Sequence, residues 1–288
     1  MVAILGGLGA ALSWAIATLA SSRSSRMIGP MSVLGWVMAV GLVVAIVPAL
    51  ISDPVPLGPA ELVGLVGVGL SHNLGLLLAY RALTIGRVSV VAPITATEGA
   101  LAAVISVLLG EAVGIEIGIV LAVIAMGVVL AAAERTRGDD ADPVKADSKH
   151  TRKAALYALA AAFTFSIGLV LGGRLGAEGM PPAWVMLASR IIGVTIIVLP
   201  LLLTRRFQLT RRALPLVALA GVLEVFGGAI YIVAASEGVA VAAVLSSQFA
   251  GIAALGGFLL FRERLHRHQV VGVVVIAVGI TVLTALQV

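Results

Sequence analysis

Apolar residues along this chain gather into runs of about 20, separated by short stretches that carry the prolines, glycines and charges. A helix of that length crosses a bilayer, and the absence of strict alternation inside the runs points away from a barrel. Ten spans are predicted, over 2–20, 31–51, 60–82, 88–110, 114–133, 154–174, 183–204, 213–235, 239–261 and 269–287. Gly29-Pro30, Asp53-Pro54 and Gly179-Met180-Pro181-Pro182 mark turns between them. One long polar segment, 134–153, divides five spans from five and reads as a mobile linker. The first span lacks a basic leader region and an obvious cleavage site, so it is expected as a retained helix.

The two halves share a pattern. Setting Gly86 on Gly238 also sets Glu111 on Glu263 and Gly127 on Gly279, all at an offset of 152. The chain therefore reads as one five-span unit used twice, over 1–133 and 154–288, joined by a cytoplasmic linker. Five is odd, so the second unit enters the membrane in the opposite direction. The expected fold is all-α and integral to the membrane: ten transmembrane helices as two inverted five-helix repeats.

Composition agrees. Hydrophobic residues make up 60% of the chain and charged ones 11%, too few charges to cover a soluble domain of 288 residues. The net charge of +5 could suggest nucleic acid, but the positions of the basic residues explain it better. Seventeen of the 19 lie in loops after odd-numbered spans, Arg174 lies opposite, and Arg190 lies within a span. Positive loops stay in the cytoplasm, which puts both termini outside it, in an inner (plasma) membrane. The chain has no cysteine, which excludes disulfides and thiolate metal sites. No cofactor, metal or nucleic-acid partner is expected.

Two short motifs carry a resemblance. Gly86 followed by Val88–Ile94 (V-S-V-V-A-P-I), then a run ending Leu108-Leu109-Gly110-Glu111, resembles the EamA domain of the drug/metabolite transporter superfamily. The second copy shows Gly238, an apolar run, Phe261-Arg262-Glu263-Arg264-Leu265, Gln269 and Gly272. Together the two copies span nearly the whole chain. The resemblance implies a secondary transporter, usually an exporter of small metabolites or drugs, and no particular substrate.

Polar residues inside the spans are the candidate site. Glu98 lies deep in span 4, where a carboxylate costs about 2.5–3.5 kcal/mol on insertion scales and should face the bundle interior. It suits a proton carrier or a cation partner; the competing reading is an acid held by Thr95, Thr97 or an arginine. Ala250 stands at its place in the second copy. Glu224 lies mid-span 8 with Tyr231 seven residues on, along the same face. Its equivalent in span 3 is His72 at an offset of 152, or Asn73 at 151, which would pair Tyr231 with Tyr80. Arg190 in span 7 either pairs with Glu98 or Glu224 or binds a substrate carboxylate. His72 is a second proton-coupling candidate, though a lone histidine is more often a packed core residue. Gln248 is a weaker binding candidate. Ser13, Trp14, Phe163 and Phe165 are candidate cavity walls. Glu111 and Glu263, at span ends, are explained by capping or loop contacts.

These residues give the expected assignment. Glu224, Arg190, Tyr231, Asn73 and Gln248 bind a small-molecule substrate; Glu98 and His72 carry protons. The function expected is proton-coupled export of small polar, amino-acid-like metabolites by a monomer or homodimer, with organic-cation efflux or uptake and a structural membrane subunit as alternatives. A channel would need a continuous polar face, which no span shows. An enzyme would need a nucleophile and base or a metal cluster, and neither H-E-x-x-H nor G-x-S-x-G occurs.

Overall fold

The computed structural model describes residues 1–53, 55, 57–85, 91, 94–132, 148–249, 251–252 and 267–286. Gly86, Pro93, Ala250, Glu263 and most of the linker lie outside the described residues. Described secondary structure is helical: α1 (Val2–Ile28), α2 (Pro30–Ile51), α3 (Pro59–Ile85), α4 (Glu98–Leu108), α5 (Ile115–Ala132), α6 (Ser148–Ala177), α7 (Pro182–Leu203), α8 (Leu214–Ala235), α9 (Val239–Ser246) and α10 (Arg267–Leu286). Among the described residues six helices, α1, α2, α3, α6, α7 and α8, are long and apolar enough to cross a membrane. α4, α5 and α10 contribute shorter apolar stretches. Large apolar side chains such as Val43, Leu50, Val63, Leu108 and Leu203 point outward, as lipid-facing positions do. This is a multi-pass membrane protein.

Packing follows a two-fold rule that exchanges α1–α5 with α6–α10. α3 packs on α6 as α8 packs on α1; α2 packs on α8 as α7 packs on α3; α1 meets α9 as α6 meets α4. The remaining major pairs, α2 with α7, α4 with α9 and α5 with α10, map onto themselves. Small residues set the register, because glycine lets two backbones approach closely in lipid. A Cβ on Gly221 of α8 would stand 2.7 Å from Val40 and 3.2 Å from the Val37 carbonyl. On Gly69 of α3 it would press on Ile192 and stand 3.2 Å from Ser189. These are the same contacts shifted by 152. Gly41 meets Arg190 and Val225, whereas Gly193 meets Met38 and Asn73; Gly127 meets Ile276, whereas Gly279 meets Ile124. The offset of 151 is thereby excluded. His72 is the equivalent of Glu224, and Met38 of Arg190.

Two of the expected spans are broken by turns. The span expected over 88–110 is not one continuous α-helix: it turns at Ala96–Thr97 before α4 begins at Glu98. The span expected over 239–261 turns at Ser247–Gln248, after α9. Both breaks have the same cause. Hydroxyls of Thr95, Thr97, Ser246 and Ser247 donate to carbonyls three or four residues back, at 3.1, 2.7, 3.0 and 2.8 Å. Such bonds compete with the helical ladder. The two broken segments touch where Gly99 meets Ala243 and Ser247.

In α7 the segment Val194–Val198 is a π-helical turn. It lies one turn after Arg190 and just before Pro200, which cannot donate to the ladder and would crowd the carbonyl four residues earlier.

Candidate functional site

Two apolar clusters lie on either side of a polar layer. One includes Val68, Leu175, Met186, Val225 and Tyr231; the other includes Ile28, Val33, Met38, Ile197 and Val217. Between them, α3, α7 and α8 bring three charged or chargeable side chains together. Arg190 Nη2 lies 3.7 Å from Glu224 Oε2, and His72 Nε2 lies 3.9 Å from the same oxygen. Arg190 is 2% exposed and its Nη1 approaches Met38 Sδ at 3.2 Å. Arg190 Nε has no hydrogen-bond partner among the described residues. A guanidinium so deep in lipid requires a carboxylate, and Glu224 supplies it.

This layer borders a cavity of about 170 Å³ at the junction of the two halves, lined by His72, Glu98, Arg190, Glu224 and Tyr231 among others. Glu98 occupies the first turn of α4, immediately after the break, and is 7% exposed. Trp14 and Phe165 also line it; Phe165 stands edge-on to His72 at 6.1 Å between ring centroids. Phe163 is instead 52% exposed, and Ser13 turns its hydroxyl to Gly9.

Two expected binding residues stand apart from the cavity. Asn73 is buried, and its amide donates to the carbonyls of Gly69, at 2.8 Å, and Ser189, at 3.0 Å, tying α3 to α7. Gln248 donates to the Val244 carbonyl at 3.3 Å, at the break after α9. Tyr231 does line the cavity, but its hydroxyl donates to the Leu169 carbonyl at 2.9 Å and only the ring is presented. Sequence reasoning missed Phe249, Met186 and Thr18, which also face the cavity. Their signal was weak, since apolar and hydroxyl residues in spans are mostly packing.

The Leu-Gly-Glu motif has a separate role. Gly110, at φ 99°, ends α4 in a left-handed turn in which Glu111 N–H donates to the Ser106 carbonyl and Gly110 N–H to that of Val107. The turn aims the Glu111 carboxylate across to the other half, where the backbone N–H of Ala240 donates to both of its oxygens at 3.1 Å. Ser106 also donates to it. Glu111 therefore caps the start of α9, as its span-end position suggested.

The profile of the EamA-like transporter family matches residues 1–133 and 152–285. The chain belongs to the EamA-like transporter family. It is thus a membrane transporter of the drug/metabolite transporter superfamily, a class of carriers and not of enzymes. One solved crystal structure superposes with a TM-score of 0.74 at 19% sequence identity, covering 99% of this EamA chain and 97% of its own. At that identity the likeness shows the fold alone. Among curated proteins no significant relative is found.

Proposed function

We propose that this EamA protein is a proton-coupled secondary active transporter that exports small polar metabolites carrying an ammonium group. In this reading ten transmembrane helices form two inverted five-helix repeats, over 1–133 and 154–288, joined by the cytoplasmic linker 134–153. Both termini face away from the cytoplasm of an inner (plasma) membrane, and the protein works as a monomer or homodimer. The repeats rock about the central cavity and expose it to each side in turn.

One observation carries the proposal: the chemically unlike twins His72 and Glu224, with Arg190 beside them, meet at the cavity where the repeats join. The two broken spans touch, and each lends a residue, Glu98 and Phe249, to the cavity wall, which favours solute binding there. Glu98 exchanges a proton for the substrate, and His72, Arg190 and Glu224, which line the same cavity, balance one another's charge. Amino-acid-like solutes are favoured by Arg190 Nε, which has no hydrogen-bond partner among the described residues. Organic cations are favoured by the pairing of Arg190 with Glu224, which already satisfies its charge.

The experiment is solute flux in proteoliposomes under an imposed pH gradient. Saturable counterflow that collapses with a protonophore supports the proposal. Flux that ignores the gradient contradicts it.

A further inference from the structure

Arginines gather where α1 and α7 end and α2 and α8 begin. Segment 199–216 carries Arg205, Arg206, Arg211 and Arg212, segment 21–36 carries Arg23 and Arg26, and neither contains an acidic residue. All six are exposed, and none has a side-chain hydrogen bond or ion pair among the described residues. The two groups are neighbours. α1 runs antiparallel to α8, with Gly6 against Ala234 and Ser13 against Gly227. The same register brings Arg26 level with Leu214, just past Arg212. The chain's lysines stand at 145, 149 and 153, so this patch presents guanidinium groups alone.

A charge excess that only orients helices can sit anywhere in a loop. This loop is folded and held. Arg206 N–H donates to the Leu201 carbonyl at 2.9 Å and Arg205 N–H to that of Leu202 at 3.0 Å, a closing turn that usually has glycine at its left-handed position. Arg205 takes that position, at φ 54°, and is the one non-glycine residue with positive φ among the described residues. A side chain is strained there, and strain of this kind clusters at binding sites. The next turn is pinned to α2. Trp36 Nε1 donates to the Gln208 carbonyl at 2.9 Å, Ser32 Oγ donates to the Arg206 carbonyl at 3.2 Å, and the Trp36 and Phe207 rings stack at 4.5 Å. Two arginines are thereby fixed before the stack and two after it.

Guanidinium groups match phosphate oxygens bidentately, and clusters of roughly four to eight basic residues at a helix end bind anionic headgroups. Met27, Leu202, Leu203, Leu209 and Leu214 are exposed around the arginines. These side chains suit acyl chains, which an acidic protein partner would not bring.

We infer that Arg205, Arg206, Arg211 and Arg212, with Arg23 and Arg26 beside them, form a docking surface for the phosphodiester headgroup of an anionic phospholipid, its acyl chains lying on the leucines at the end of α7 and the start of α8. The inference is independent of what the central cavity carries.

The test is thermal unfolding of the purified full chain in neutral detergent, titrated with phosphatidylglycerol, with phosphatidylcholine, or with glycerol 3-phosphate as the free headgroup. Phosphatidylglycerol should reach half its effect at a concentration at least about tenfold lower than phosphatidylcholine, and the advantage should shrink as salt rises. Glycerol phosphate should neither stabilise the chain nor displace the lipid. Replacing Arg205, Arg206, Arg211 and Arg212 by Gln should remove most of the advantage. Taking four charges from the linker instead, by Arg135→Gln, Arg137→Gln, Lys145→Gln and Lys149→Gln, should change it less than about twofold. Arg205→Gly relieves the backbone. It should raise the unfolding temperature in phosphatidylcholine and reduce the phosphatidylglycerol advantage, and it decides the matter if the fourfold variant fails to fold.

An equal response to the two lipids would overturn the inference. So would a linker variant that loses as much as the loop variant, or an Arg205→Gly chain that gains stability equally in both lipids. Stabilisation by glycerol phosphate as strong as by the lipid would contradict it in favour of a soluble anion, and displacement of the lipid by a polyglutamate peptide in favour of a protein partner.

Discussion

Arg190 rests on Met38, its own counterpart in the other half of the chain: the two are 152 residues apart and their side chains meet at 3.2 Å. Equivalent positions of a two-fold repeat touch only near the axis, so this contact marks it. The same axis passes by His72 and Glu224. Duplication thus left two positions at the centre of the molecule, and substitution made each pair unlike: methionine against arginine, histidine against glutamate. A symmetric pair of arginines or glutamates there would repel across the axis.

The Arg190–Glu224 pair should behave as a buried ion pair. Arg190→Met leaves Glu224 without its cation and is expected to cost about 3–5 kcal/mol of stability. Adding Glu224→Gln removes the stranded charge and should restore at least half of that loss. Thermal unfolding of the three variants in detergent gives the coupling. A double variant no more stable than Arg190→Met would mean the pair is not coupled.

Glu111 should act on stability and not on the proton. Glu111→Ala deletes the cap on Ala240 and is expected to lower stability by about 0.5–2 kcal/mol. Its flux should fall by the same factor with and without a pH gradient. A selective loss of gradient-driven flux would move Glu111 into the coupling machinery.

Orientation follows from the basic residues. A reporter active only in the cytoplasm, fused after Lys145, should give signal; fused after Val288 it should not. The motive is the placement of 17 basic residues in loops after odd-numbered spans against Arg174 alone opposite. The reverse pattern would invert the topology.

Much of the fold was legible because lipid imposes a simple rule: long apolar runs must be helices. The register was also within reach, since Gly41 and Gly193, and Gly69 and Gly221, stand 152 apart in the sequence. What apolar length cannot reveal is a break inside a span. The turns at Ala96–Thr97 and Ser247–Gln248 arise from hydroxyls bonding back to the chain, and threonine and serine occur in unbroken spans too. At the site, charge was the readable signal. Arg190, Glu224, His72 and Glu98 all stood out as polar residues in apolar runs, and all four line the cavity. Asn73 stood out too, and Gln248 more weakly, yet their amide nitrogens bond to backbone carbonyls. Backbone carbonyls can hold an amide nitrogen, although the Asn73 and Gln248 side-chain oxygens have no partner among the described residues, whereas a charge in lipid needs a counter-charge or a wet cavity.

Glu98 is the centre of the account, because it is the cavity carboxylate left without a partner among the described residues. Competition between a proton and a cationic solute for one carboxylate suffices to couple their movements. Glu98→Gln preserves shape and hydrogen-bonding capacity and removes the charge. The decisive measurement is solute flux in proteoliposomes, with and without an imposed pH gradient, for the native chain and for Glu98→Gln at equal insertion. Gradient-driven flux should be abolished in Glu98→Gln while the protein still inserts and folds. Gradient-driven flux that survives the substitution would contradict it, leaving Glu98 a structural acid and His72 or Glu224 the site of the proton.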